Sequence, residues 1–220
     1  INDVVERHRV KNRLELEELL RIIASSIGAP SNPTKLSNTF KSLKNIVISN
    51  KTLGNYLNYL CDAFMIGRAV RYNIKGKKYI NTLSKYYFTD IGLRNALLDF
   101  RQTEQTHIME NVIYNELLYR GYSVDVGIVE VTGHDKNGKF IRKQLEVDFV
   151  VNDGSQRYYI QSAFSIPDEE KMSQETASFR YIDDSFKKIL VVKDDIMPYT
   201  DDNGFLHIGL FDFLLKPQMM

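Results

Sequence analysis

The hydrophobic period of the chain changes twice, and each change restricts what can follow it. Residues 13–27 place Leu16, Leu19, Leu20 and Ile23 at helical spacing, and Gly28-Ala29-Pro30 stops the run. Asn32-Pro33 opens a second helix through Lys35, Leu36, Phe40 and Leu43. Ser49 or Asn50 can cap a third, whose apolar stripe reads Leu53, Tyr56, Leu57, Leu60 and Phe64. From residue 68 the period becomes two: 68–74 alternates as a strand, Lys75-Gly76-Lys77 turns, and Lys78-Tyr79-Ile80 returns. A further strand at 85–88 leads into a helix starting near Thr89 or Asp90. Beyond a polar connection at 99–106 comes a helix at about 107–120, ended by Gly121. Strands at 123–131, 140–151 and 157–164 follow, with turns at Asn137-Gly138 and Asp153-Gly154. A charged helix at about 168–182, an apolar strand at 188–192 and a closing strand near 205–209 complete the order.

Three helices and a basic hairpin are the order of a winged helix, a helix-turn-helix variant. Helix, three-strand meander, helix, strand is an α/β pattern with a mixed central sheet. The expected division is therefore a winged-helix domain at 1–100, with an N-terminal extension, and an α/β domain at 106–220. With 43% hydrophobic and 26% charged residues over 220 positions, disorder and collagen-like repeats are excluded. No apolar run approaches the roughly 18 residues of a spanning helix, so no membrane partner is expected. The lone cysteine, Cys61, reads as a small buried apolar residue in a reducing, cytoplasmic setting. The start at Ile1 rather than Met reads as a fragment of a longer chain.

The net charge of +1 hides an asymmetry. Residues 1–105 carry 17 basic and 9 acidic side chains, a balance of +8, and the remainder carries 12 and 19, a balance of −7. Between residues 34 and 101 stand 12 basic residues against Asp62, Asp90 and Asp99 alone. On the third helix, Lys51, Asn55, Tyr59 and Asp62 lie opposite the apolar stripe, with Asn58 at the edge. Lysine neutralises phosphate, and asparagine can pair with adenine in a major groove. The hairpin adds Arg71, Lys75, Lys77 and Lys78, suited to backbone contacts beside a recognition helix. These six cations and amides (Lys51, Asn55, Arg71, Lys75, Lys77, Lys78) are the expected nucleic-acid contacts, and DNA is the expected partner.

In the second half, strict alternation puts Glu146, Asp148 and Val150 on one face of their strand and Leu145, Val147, Phe149 and Val151 on the other. The preceding helix offers Glu110 at the edge of its apolar stripe and Glu116 in the middle, about 120° apart around the axis. A helix glutamate, a strand aspartate, and a third acid two residues before a lysine form the metal site of restriction-endonuclease-like (PD-(D/E)XK-type) folds. There hard oxygen ligands hold Mg²⁺ and the lysine orients the attacking water. The candidate positions are Glu110, Glu116, Asp148 and Gln161, with Asp148 and Glu110 as the hypothetical magnesium ligands. Because the third motif reads Gln161-Ser162-Ala163, a charge and a lysine are missing and the site reads as degenerate. The four histidines have no zinc spacing, and no G-x-x-x-x-G-K-[ST] sequence exists, so this polypeptide alone should not hydrolyse ATP.

Residues 56–67 (YLNYLCDAFMIG), 85–97 (KYYFTDIGLRNAL), 110–122 (ENVIYNELLYRGY), 146–151 (EVDFVV), 159–163 (YIQSA) and 204–215 (GFLHIGLFDFLL) together resemble the C-terminal half of a prokaryotic family of predicted AAA+-type ATPases. The resemblance implies an N-terminal P-loop module that binds ATP, then a winged helix, then a restriction-endonuclease-like domain of unknown function. On that pattern Glu110 takes the helix acid and Asp148 the strand aspartate, while Gln161 and Ala163 depart from the acid and lysine. The expected function is a DNA-binding accessory region of a parent ATPase, with the N-terminal ATPase module of the same chain as a partner. The alternatives are a Mg²⁺-dependent nuclease or junction resolvase, and a protein-interaction module of the ATPase. Oligomeric state is not legible in the sequence.

Overall fold

A computed structural model describes residues 1–101, 104–134 and 138–216, with Asn81 and His134 described through their backbone only. Residues 102–103 of the expected connection, Asn137 of the expected Asn137-Gly138 turn, and 217–220 lie outside the described residues. The elements run α1 (Asn2–Arg7), α2 (Arg13–Ser25), α3 (Pro33–Lys44), α4 (Asn50–Asp62), β1 (Ile66–Asn73), β2 (Lys78–Phe88), α5 (Ile91–Leu97) and α6 (Gln105–Tyr119). They continue with β3 (Ser123–His134), β4 (Phe140–Asp153), β5 (Gln156–Ala163), α7 (Glu169–Glu175), β6 (Lys187–Val192), β7 (Tyr199–Thr200), β8 (Leu206–Gly209) and α8 (Leu210–Leu215). The strands form one mixed sheet in the order β2-β1-β3-β4-β5-β6-β8-β7. Among the described residues no helix is long and apolar enough to cross a membrane. By contacts the chain forms two units, Ile1–Ala69 with Thr82–Asn111, and Val70–Asn81 with Val112–Met220.

The helices of the first unit begin where their caps stand. Asn12 accepts from Glu15 N–H, Asn32 from Lys35 N–H with Pro33 at the first turn, and Ser49 from Thr52 N–H, at 3.3, 2.8 and 3.0 Å. Leu16, Leu19, Leu20, Leu36, Phe40, Leu53 and Leu60 are buried and form the centre of this unit. Two expected members of the apolar stripes point outward. Leu43 is exposed on α3, and Phe64 lies beyond the end of α4 in a left-handed conformation (φ 53°) that turns the chain into β1. The strands expected at 78–80 and 85–88 are one strand, β2, because nothing between Asn81 and Ser84 breaks an extended chain. Ser31 and Ser84 exchange backbone bonds of 2.8 and 2.9 Å, and Asn32 Nδ2 donates to Thr82 O.

In the second unit the sheet is built by parallel pairing of Arg71–Asn73 with Val126–Ile128, antiparallel pairing of β3, β4 and β5, and parallel pairing of β5, β6 and β8. The strict alternation expected along β4 fails at one place. Asp125 pairs with Val150 and Gly127 with Val147, so two residues, Asp148 and Phe149, oppose the single Val126. This β-bulge advances the phase by one residue. Val147 and Val150 therefore pack in the same cluster, with Ile74, Tyr159, Phe179 and Phe205, while the Phe149 ring meets Tyr114 of α6. The charged helix expected over 168–182 stops at Glu175. Thr176 bonds back to Met172 O at 2.8 Å, and a 3₁₀ turn at Phe179–Tyr181 brings Phe179 and Ile182 into that apolar cluster.

The bulge also explains Gly127. A Cβ there would stand 2.8 Å from Ile74 Cδ1, Val147 Cβ and Val150 Cγ2. Gly127→Ala should lower unfolding stability by about 1–3 kcal/mol through overpacking, read as a lower urea midpoint at unchanged slope.

Candidate functional site

Helix α4 buries Leu53, Tyr56, Leu57 and Leu60 and exposes Lys51, Asn55, Asn58 and Asp62 on the opposite side, as a 3.6-residue period requires. Lys51 and Asn55 thus stand in the first unit, on an outer helix face. The four hairpin residues group differently. Arg71 donates to Gln144 Oε1 at 3.4 Å, Lys75 lies 5.8 Å from the centre of the Tyr181 ring, and Lys78 contributes to holding Glu130 below the usual carboxylate range, an effect led by the bond from Arg142. Lys77 occupies the turn in a left-handed conformation (φ 49°). All four belong with the second unit. Counted by contact units, the first carries 13 basic and 10 acidic residues, a balance of +3, and the second 16 and 18, a balance of −2. The mid-chain reversal of sign is largely a property of the linear order.

Two further cations counted for the basic half are interior. Arg94 is fully buried, its Nε donating to Ala24 O at 2.9 Å, and Lys85 is 4% exposed. Lys85 Nζ and the Tyr87 hydroxyl both donate to Glu110 Oε1, at 2.8 and 2.6 Å, inside the first unit. Beside them Asn111 exchanges two 2.8 Å bonds with the backbone of Phe88, fixing the middle of α6 to the end of β2. Gly28, in a left-handed conformation, passes so close that a Cβ would stand 3.3 Å from Glu110 Oε1. The candidate ligand Glu110 is therefore one half of a buried, hydrogen-bonded ion pair.

Asp148, Gln161 and Glu116 fall in the second unit. The β4–β5 ladder ends at the pair Phe149–Ile160, and at the next position side chains replace the main chain. Ser162 N–H donates to Asp148 Oδ2 at 2.9 Å, and Asp148 N–H reaches Gln161 Oε1 at 3.4 Å. Ala163 is 2% exposed in an apolar cluster with Leu190, Val192 and Met172. Glu116, on the apolar stripe of α6, is paired with Arg120 Nε at 2.8 Å, and Arg120 also donates to Phe213 O and covers its ring. A magnesium ion needs several hard, charged oxygens in near-octahedral array. Here the strand aspartate spends an oxygen on a backbone N–H, the neighbouring oxygen is a neutral amide facing another N–H, and the lysine position is an apolar contact. These residues do not fit a catalytic magnesium site. Among the described residues no three His, Cys, Asp or Glu side chains come together that could hold a metal ion.

Other chemistry-bearing groups were not legible beforehand. His207, dismissed for lack of zinc spacing, is buried on β8 with Nε2 at 3.0 Å from Asp201 Oδ2 and the Tyr199 ring stacked 4.6 Å above it. Burial pushes Asp201 upward, but N–H groups of Phe205 and Asn203 and the His207 ring outweigh it and hold the carboxyl below its ordinary value. Cys61 is half-buried, and burial pushes its thiol up to about 11, so little of it is thiolate at neutral pH.

Residues 1–104 match a domain of unknown function (DUF8612). The chain is 33% identical over 216 residues to an uncharacterized protein of Haemophilus influenzae, covering 98% of this chain and 50% of that protein. It is 30% identical over 210 residues to the uncharacterized protein MJ1544 of Methanocaldococcus jannaschii, covering 96% and 44%. The chain thus spans about half the length of these curated relatives. The crystal structure of protein VC1899 from Vibrio cholerae aligns with 94% of this chain and 56% of its own, at 14% identity and a TM-score of 0.32.

Glu110→Ala removes the acceptor of a buried lysine and a buried phenol, and should cost about 3 kcal/mol of stability in a urea titration, with Glu110→Gln costing less. Asp201 gives a pH signature. Its carboxyl is held down in the folded state, so its contribution is complete above the unfolded value of about 3.9 and is lost as the pH falls through the lower folded value. Asp201→Asn should lower the melting temperature by a constant amount above about pH 5, with the gap to wild type closing in acid.

Proposed function

We propose that this chain is the nucleic-acid-binding accessory region of a longer predicted AAA+-type ATPase, in which a winged-helix-like first unit contacts DNA and a nuclease-like second unit does not cleave it. The observation that carries the reading is the outer face of α4. It is a Ser49-capped helix that follows α3 after a short loop, buries one stripe against the unit's core, and presents Lys51, Asn55 and Asn58 to solvent. The mixed sheet with Asp148 where β4 and β5 part supports a restriction-endonuclease-like ancestry. Gln161 and the buried Ala163 support loss of catalysis. The relatives' greater length leaves room for an ATPase module.

The test is fluorescence anisotropy on labelled duplex and branched DNA across a salt series, with a gel readout of cleavage in Mg²⁺ or Mn²⁺. Affinity should fall with salt at a log–log slope of about −0.9 per phosphate neutralised. Lys51→Glu should weaken binding several-fold across sequences and reduce that slope by about one. No strand should be cut. Cleavage that disappears in Asp148→Ala would restore the nuclease reading, and absence of binding at low salt would favour the protein-interaction reading instead.

A further inference from the structure

His8, Arg9 and Lys11 precede the first helix expected from the sequence, yet the structure sets them against α4. Helix α1 ends at His8, Arg9 N–H reaches Glu6 O at 3.3 Å, and Val10 N–H reaches Val5 O at 2.9 Å. Two residues on, Asn12 caps α2, so the connecting loop is pinned at both ends. The His8 ring stacks on the Tyr59 ring of α4, centroids 3.9 Å apart and planes 10° from parallel. Between loop and helix opens a groove of about 380 Å³, with Arg9, Lys11, Thr52, Asn55 and Tyr59 in its wall. The acid at this groove is Glu15, and burial together with that carboxylate raises the Tyr56 hydroxyl above its ordinary value.

Arg9 is the informative residue. Its backbone is left-handed (φ 49°), at a helix C-terminus where glycine would sit without strain. Its side chain is exposed, as is that of Lys11, and neither makes an ion pair among the described residues. A cation is thus kept at a backbone position that favours glycine, and it is neither packed nor neutralised. Asn55 belongs both to this groove and to the outer face of α4.

We propose that the groove between the α1–α2 loop and α4 carries the phosphodiester backbone of nucleic acid, with Arg9 and Lys11 neutralising phosphates. The loop, rather than the hairpin at 75–78, then flanks α4 in the contact. The inference rests on the nucleic-acid reading above and adds its location. The ring stack of His8 on Tyr59 holds the loop to the helix, so the two cations and Asn55 act from one rigid surface.

Four variants separate the possibilities, each measured by anisotropy on a labelled duplex and a labelled single strand across a salt series, with affinities compared near 150 mM, where charges more than about 8 Å apart are largely screened. Arg9→Gly relieves the backbone, so its melting temperature should equal or exceed that of wild type. Combined with Lys11→Glu it should weaken binding about tenfold and lower the salt slope by about two. The triple reversal of Lys75, Lys77 and Lys78 to Glu should stay within twofold of wild type. If the loop variant binds as wild type while Lys51→Glu is weakened, the groove is not the contact and the nucleic-acid reading stands. A loss confined to the hairpin variant overturns the assignment as well. No binding by the wild-type chain to either probe at low salt removes both readings together.

Discussion

Three residue pairs decide where the basic hairpin belongs. Arg71, Tyr72 and Asn73 run parallel to Val126, Gly127 and Ile128, and Ile74 N–H adds a bond to Ile128 O at 3.0 Å. Parallel neighbours cannot be joined by a tight turn, and here more than fifty residues separate the partners. A wing in a winged helix is a free arm that can lie along a DNA backbone. This hairpin is instead joined through β1 to a sheet whose other strands are β3 to β8, with β2 as its edge strand. Its cations meet the rings, amides and acids of that unit: Lys75 the Tyr181 ring, Arg71 the Gln144 amide, and Lys78 the field of Glu130. The charge asymmetry of the linear sequence follows largely from the same pairing, since four basic residues written in the first half belong to the second unit.

That pairing also marks the limit of what the sequence discloses. Signals confined to a few neighbouring residues were readable: the caps Asn32 and Ser49 opened helices, Gly121 took the left-handed conformation after α6, and Asp153-Gly154 turned β4 into β5. Short elements held by non-local packing were not. Helix α8 and the two-residue β7 exist because β8 and its neighbours give them a surface, and no periodicity can accumulate over six or two residues. The bulge at Asp148-Phe149 is the sharper case. Alternation is a correct rule for a regular strand, and one extra residue inverts its outcome for every position on one side. Nothing local to EVDFVV announces it, because the residue that accommodates it, Gly127, lies across the sheet, where absent side-chain bulk leaves room for Val147 and Val150 over the same spot.

The candidate nuclease positions show how a fold outlasts the chemistry it could hold. The acid pattern was legible because spacing on a helix and a strand is local information. The disposal of each acid was not. Glu110 is tied to Lys85 and Tyr87, Glu116 to Arg120, and Asp148 to the Ser162 backbone. Each is satisfied by a group whose position the sequence reading had given another use or none. Lys85 had been counted with surface cations, although its place on an apolar strand one residue from Tyr86 and two from Tyr87 puts it on a face with little water. A metal site needs unspent negative oxygens converging on one point, and here the oxygens are spent one by one on stabilising bonds.

Two sets of charges in this protein contrast in burial and pairing. Lys85 and Asp125, with little solvent exposure, have partners: Lys85 is paired with Glu110, and Asp125 accepts from the Tyr79 hydroxyl. Removing such a partner harms the fold, because the cost of an unpaired buried charge is large. Arg9, Lys11 and Lys51 are the reverse. They stand in water, make no ion pair among the described residues, and add almost nothing to stability where they are. What distinguishes them from scattered surface cations is the scaffold beneath. Lys51 rides on a capped helix, Lys11 on a loop pinned at both ends, and Arg9 on a backbone conformation that favours glycine. A cation on a fixed backbone loses less freedom on meeting an anion than one on a mobile segment, and that is the physical basis of the contact proposed above.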